Sequence, residues 1–422
     1  MSREMKLTNL DCIHQIPLNW NLMDIKYVSS LINGDRSNQY PSGNDIKDSG
    51  VNFITSENLH NLKLEIVENS KYITAEKYNS LRGAKLRIND LIFCLRGSLG
   101  ICSINTDLTE GTIASSLVVI RPNDKINPYY LNYSINSNLI KKQIDYWMNG
   151  SCAANLSAKD TREFKICVPP ISEQNQIVNY LNSKCEAIDQ AIQKQKDIVN
   201  KLIEYKQSVI TQAVSKGLNL NVEMKDSGID WIREIPSNWY TQRFKFFHTC
   251  ANVGISLDKN YWSDNDCYDV FYTAGEKHIY SSFSDFPLDK YTTEQDLLLS
   301  RNGTPYVYYP KTHSQYSDHI IRTNIFPKYC KRFVFYCLQQ SILSDTIDSV
   351  SIPTWSISIW DKQILTVPPL DEQKSIATFL DSKCSKINES IEQSNKVIQK
   401  LEEYKKSLIY NAVTGKIDCR NA

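Results

Sequence analysis

The chain has 422 residues, 41% of them hydrophobic, with 48 basic and 47 acidic side chains that leave a net charge of +1. That length suits two to four domains at about 100–200 residues each, and the near-zero charge excludes a globally cationic protein, so any nucleic-acid surface is a local patch. No apolar run approaches the roughly 20 residues that span a bilayer, and Met1-Ser2-Arg3-Glu4-Met5-Lys6 leads into polar sequence without a signal-peptide pattern, so a cytoplasmic location is expected.

In chain order, the first landmark is Ile13-x-x-Ile16-Pro17-x-Asn19-Trp20. It leads a block (1–167) with β-branched and aromatic runs at Leu91–Leu95 and Ser116–Ile120, which read as strands. A mixed helical stretch follows from Pro128 to Trp147. Val168-Pro169-Pro170-Ile171-Ser172-Glu173-Gln174 then reads as an elbow into a helix, with Ser172 as cap and Glu173 in the first turn. Helical spacing of Ile177, Leu181, Ile188, Ile192, Val199 and Leu202 marks one buried face, and Gly217 ends the element (168–218).

The pattern then returns. Ile232-x-x-Ile235-Pro236-x-Asn238-Trp239 leads a second block (219–366) with strands expected at Leu297–Leu299 and Tyr306–Tyr309. Val367-Pro368-Pro369-Leu370-Asp371-Glu372-Gln373 repeats the elbow at an offset of 199 residues, without a gap as far as Ala412-Val413. Its helix (367–422) has Asp371 as expected cap and the face Ile376, Leu380, Ile387, Ile391, Ile398 and Leu401, closing at Gly415. The chain is therefore a tandem duplication of an α+β block and a long helix.

A helix of roughly 40 residues is about 60 Å long, more than one small domain covers. The expected partner of each long helix is the other copy, in an intramolecular coiled coil. Antiparallel pairing is favoured because it gives equivalent segments equivalent surroundings about a pseudo-twofold axis. Parallel pairing and two separately folded amphipathic helices remain as alternatives.

Within the otherwise unlike blocks, Asn89-Asp90-Leu91-Ile92-Phe93-Cys94-Leu95-Arg96-Gly97-Ser98 resembles Gln295-Asp296-Leu297-Leu298-Leu299-Ser300-Arg301-Asn302-Gly303-Thr304. In each, an apolar strand ends in arginine, glycine and a small hydroxyl residue, and a glycine there admits close backbone approach to an anion or a base edge. Arg82, Lys85, Arg87 and Arg96 form a basic cluster around the first of these strands, and tyrosines such as Tyr268, Tyr272, Tyr280 and Tyr306 are able to stack on bases, although core packing is the plainer reading for them. Twelve cysteines occur without a C-x-x-C pair, so buried free thiols, not a zinc site, are expected. There is no P-loop, no GxSxG elbow and no methyl-donor glycine turn with a catalytic Asn/Asp-Pro-Pro-aromatic motif. Asp160…Glu163-Phe164-Lys165, Glu204-Tyr205-Lys206 and Glu403-Tyr404-Lys405 match a nuclease pattern by residue type only.

This layout resembles the specificity subunit of a Type I restriction-modification system, on the strength of Pro-Pro-x-x-Glu-Gln and Ile-Pro-x-x-Trp, each present twice at matched distances along essentially the whole chain. The resemblance implies an α+β protein with two target recognition domains separated by two long antiparallel helices. Each domain would read one half of a split, asymmetric site in double-stranded DNA. The helices would set the spacing and dock two methyltransferase subunits, with motor-nuclease subunits joining those. This chain would hold no cofactor and catalyse nothing, while adenine methylation and ATP-dependent cleavage, with S-adenosylmethionine, ATP and Mg2+, would belong to the partners. Arg96 and Arg301 are the leading expected DNA contacts, with Lys85, Arg87, Arg322 and His319 behind them. A divergent self-contained methyltransferase or nuclease, and a scaffold protein that binds no DNA, are the alternatives.

Overall fold

The computed structural model describes residues 3–10, 12–36, 40–60, 62–148, 156–219, 221–230, 232–342 and 354–420. The chain divides into two compact units, Met1–Gln195 with Lys396–Ala422, and Lys196–Asn395. The sequence places boundaries at the ends of the long helices; compactness divides each helix in its middle instead, because each half-helix packs on a different globular block.

In the first unit, hairpin Met5–Leu10/Ile13–Pro17 carries the leading motif. Strand Asn21–Asp24 then pairs with Lys165–Val168, so the beginning and end of the block meet. Between them, a six-stranded sheet runs in the order Ser29–Asn33, Leu117–Pro122, Leu91–Cys94, Cys102–Ile104, Lys63–Leu64, Leu59–His60. Side chains alternate across its central strand: Leu91, Phe93 and Leu95 enter the core shared with helices Pro128–Ile135 and Ile171–Lys216. Ile92 and Cys94 enter a second core with Ile54, Leu86 and Ile113. Burial on both faces explains why this strand reads as a continuous apolar run. A four-stranded sheet (Thr112–Ile113, Val51–Ile54, Lys71–Ile73, Ile46–Lys47) completes the block.

The second unit repeats this plan with different residues. Its leading hairpin is Met224–Asp226/Glu234–Pro236, and Tyr240–Arg243 pairs with Ile364–Val367. Its main sheet runs His248–Val253, Ile320–Ile325, Asp296–Ser300, Val307–Tyr308. Its second sheet also ends in a parallel pair, Phe271/Tyr272 against Gln315/Tyr316, as Phe53/Ile54 lie against Thr112/Ile113 in the first unit. The expected strands are therefore present in both blocks, and the two blocks share one fold.

The long helices are Ile171–Lys216 and Leu370–Val413. Both start one residue before the expected caps. The Pro170 carbonyl accepts the N–H groups of Glu173 and Gln174, and the Pro369 carbonyl that of Gln373, so Ser172 and Asp371 lie inside the first turn and the prolines occupy the cap position.

Within each unit the helix segments run antiparallel. In the first, Trp20 joins the region of Glu173 to that of Gly415, while Asp189 pairs with Lys405 at 2.7 Å. In the second, Trp239 lies against both Glu372 and Gly217, while Lys206 donates to Asn388 at 2.9 Å. Asp189/Lys405 and Asn388/Lys206 are the same rung, one repeat apart. Ile177, Leu181, Ile188, Ile192, Ile376, Leu380 and Ile387 are buried as expected. Val199, Leu202, Ile391, Ile398 and Leu401 are only half-buried. Two helices without a third layer leave the flanks of their seam in water.

Candidate nucleic-acid interface

The repeated motifs make the same joints in each unit. The Trp20 indole N–H donates to Glu173 at 3.0 Å, and the Trp239 indole N–H donates to Glu372 at 3.0 Å. Glu173 also pairs with Arg3 at 2.6 Å. The glutamine that follows locks the helix to its block. Gln174 accepts from the Asn127 N–H at 2.7 Å and donates to the Pro169 carbonyl; Gln373 accepts from the Cys330 N–H at 2.9 Å and donates to the Pro368 carbonyl. A glycine closes each joint. At Gly217 (φ +74°) an added Cβ would lie 3.1 Å from Trp239 and Glu372, and at Gly415 (φ +73°) 2.5 Å from Pro17. Buried amides and carboxylates need partners, so these residue types recur because the joint recurs.

A third grip was not legible in the sequence. The Tyr133 hydroxyl donates to Asn182 at 2.8 Å, and the Tyr336 hydroxyl donates to Asp381 at 2.7 Å. Asn182 and Asp381 are one repeat apart, but the tyrosines lie in the unlike blocks, where no alignment pairs them. Arg332 adds a 2.6 Å ion pair to Asp381 in the second unit only.

The strand ends carry the candidate contacts. In the first block Arg96 is exposed beyond Leu91–Cys94 and followed by Gly97 at φ +77°. Arg82 sits at the same end, because Asp35, just past Ser29–Asn33, accepts the backbone N–H groups of Arg82 and Gly83. Arg36 is exposed there as well. Arg87 belongs to the opposite end: its N–H bonds Asp90 at the strand start, about 20 Å of extended chain from Arg96. The basic cluster of the sequence is therefore split, since 82–87 runs along the strand direction. Lys85 is half-buried, its ammonium donating to the Tyr78 carbonyl at 3.0 Å and lying 4.2 Å from the Tyr78 ring.

In the second block Arg301 is exposed, with its N–H bonded to the His319 carbonyl at 2.8 Å. His319 is exposed and its Nδ1 accepts from the Asn302 side chain at 2.8 Å. Loop 273–278 borders this end, pinned by the Tyr308 hydroxyl, whose single proton is shared between the Thr273 and Gly275 carbonyls at 2.9 and 2.7 Å, and brings exposed Lys277 and His278. Arg322 requires correction. It is 8% exposed, donates to the Asp289 and Tyr291 carbonyls at 3.0 and 2.9 Å, and lies 3.9 Å from buried Asp296. In the first block Arg121 holds buried Asp90 through two 2.7 Å hydrogen bonds, and its counterpart by strand register is Asn324, which donates to Asp296 at 2.8 Å. The acidic residue opening each matched strand is thus held by a polar side chain of the neighbouring strand, and Arg322 faces the domain interior.

The structure keeps the gapless register of the two matched segments, in which the arginines themselves are not equivalent. The carbonyls of Leu95 and Arg301 accept the N–H groups of Leu156 and Trp355 at 3.1 and 2.7 Å, and Gly97 and Gly303 share φ +77°. Arg301 therefore corresponds to Leu95, and Arg96 corresponds to Asn302.

The nuclease-like residues are engaged elsewhere: Glu163 pairs with Lys26 at 2.6 Å and Lys165 with Asp24 at 2.5 Å. Among the described residues no group of three or more His, Cys, Asp or Glu is placed to hold a metal ion. Cys185 and Cys384 are buried free thiols, and burial pushes Cys167 up to about 12. Among the described residues no helix is long and apolar enough to cross a membrane.

Residues 17–201 and 248–400 match the family model for the Type I restriction modification DNA specificity domain. A Methanocaldococcus jannaschii protein assigned as the MjaX type I restriction enzyme specificity subunit is 26% identical, covering 96% of this chain and 95% of its own. The MjaVIII type I specificity subunit of the same organism is 25% identical over 74% and 76%. A chain from a solved structure concerned with complex assembly and conformational transition of the type I R-M system superposes with a TM-score of 0.72 at 16% identity, covering 95% of this chain and 99% of that one. With the duplicated joints and the two like-folded blocks, these matches establish that the chain belongs to the Type I restriction-modification specificity subunits.

Proposed function

We propose that the chain selects a split, asymmetric DNA site, with one half read by each recognition domain at its exposed strand ends. The observation that carries this is a single fold used twice, gripped by the long helices through the same residues yet displaying different side chains at matched strand ends. Arg96, Arg82 and Arg36 line one such end; Arg301, Asn302, Lys277 and His319 line the other. Unlike end residues on like scaffolds call for unlike half-sites. The paired helices act as a ruler, since two domains reading one face of B-DNA must sit about one 34 Å turn or its multiple apart. Their exposed flanks dock two methyltransferase subunits, joined by motor-nuclease subunits. Methyl transfer from S-adenosylmethionine to adenine and ATP- and Mg2+-dependent cleavage take place on those partners in the cytoplasm, and this chain supplies selection alone.

Methylome sequencing of a host with and without the gene tests the reading. A bipartite, non-palindromic methylated motif that disappears with the gene is expected; an unchanged methylome, or a palindromic motif, would refute it.

A further inference from the structure

The two recognition domains leave their central strand at the same backbone position with different reading chemistry. Arg96 and Asn302 each follow the residue whose carbonyl accepts the Leu156 or Trp355 N–H, and each precedes a glycine at φ +77°. Asn302 forms an isolated bridge with Thr354, which fixes its backbone. With His319 as its Nε2–H tautomer, the Asn302 amide nitrogen donates to its Nδ1 at 2.8 Å. The second amide N–H and Oδ1 make no hydrogen bond among the described residues.

Those two groups are one donor beside one acceptor. In the major groove, adenine presents the complement, an N6 donor next to the N7 acceptor, whereas guanine presents two acceptors that suit the paired N–H groups of arginine. In that tautomer the histidine contact spends one amide proton and holds the amide, so the remaining donor and acceptor are oriented before DNA arrives. This removes the flip that would otherwise present the amide the wrong way round.

Resting on the DNA-reading function proposed above, we infer that Asn302 reads an adenine in the half-site of the second recognition domain. His319 is its positioning residue. Arg96, at the equivalent place, reads a guanine in the other half-site. The adenine is distinct from the methylated one, because a base taken out of the stack for chemistry presents no groove edge.

The test is methylome sequencing of hosts carrying the full chain with its methyltransferase partner, using variants that melt like the wild type. Asn302→Ala should relax one unmethylated adenine position of one half-site by about tenfold, in line with the discrimination of one bidentate contact. All other positions should hold. His319→Ala should relax the same position to a smaller degree. Asn302→Arg should move its preference from adenine to guanine, a gain that damage to the fold does not produce. Arg96→Ala should relax a guanine in the other half-site only. An unaltered motif from folded Asn302→Ala, loss of all methylation by it, or relaxation at a position that is not adenine would overturn the inference while leaving a bipartite wild-type motif intact. A wild-type motif that is not bipartite would remove the underlying reading as well.

Discussion

At the start of each central strand a buried carboxylate is held by a side chain of the neighbouring strand, Asp90 by Arg121 at 2.7 Å and Asp296 by Asn324 at 2.8 Å. Arg322 spends its hydrogen bonds on the Asp289 and Tyr291 carbonyls and lies 3.9 Å from Asp296, which also accepts from Thr293. Removing one partner of a buried pair costs about 3–5 kcal/mol, and leaving buried acceptors without their donor costs about 1–3 kcal/mol. Arg322→Ala is therefore expected to lower stability by about 2 kcal/mol in denaturant unfolding, and to leave the recognised motif unchanged in methylome sequencing. A changed motif with unchanged stability would return Arg322 to the DNA surface. Glu173→Ala removes at once the acceptor of the Trp20 indole and the partner of Arg3. A loss of about 3 kcal/mol is expected for this broken buried pair, and calorimetry on the full chain would read it as a lowered first transition.

The helices show the same logic at the scale of an element. Leu181 is fully buried, whereas Leu202 is half-buried on the same stripe. Leu181→Ala should cost about 3 kcal/mol and Leu202→Ala about 1 kcal/mol; equal costs in urea unfolding would mean that the seam is packed evenly along its length. The Gly415 joint predicts a further difference. Gly415→Ala combines a left-handed backbone with a 2.5 Å approach to Pro17, while Gly303→Ala meets nothing within 4 Å and carries the backbone strain alone. The first should destabilise by clearly more than the roughly 1–2 kcal/mol expected for the second.

For the whole molecule, the proposed ruler makes a length prediction. Twenty-one residues, three heptads, inserted at the middle of both long helices preserve the apolar stripe and add about 32 Å, or roughly one turn of B-DNA, to the span. The methylated motif should keep both half-sites and gain about nine to ten base pairs of spacer. An unaltered spacer would mean that the helices do not set the distance.

The duplication, the two long helices, their antiparallel sense and the principal strands were legible because each depends on short-range periodicity or on motifs repeated in register. Trp20, Glu173, Gln174 and their second copies are visible for a related reason: a buried hydrogen-bonded joint tolerates few residue types, so its residues recur wherever the joint does. Beyond the leading motif and the Asn89–Ser98/Gln295–Thr304 segments, the kinship of the two blocks was hidden, since sheet pairing runs through backbone groups and any apolar side chain of suitable size fills the faces between. Only the tertiary structure decided that Arg322 points inward and that Arg82 and Arg87 part company. Exposure at a strand end is set by register against distant strands, and a one-residue shift there exchanges a core leucine for a surface arginine.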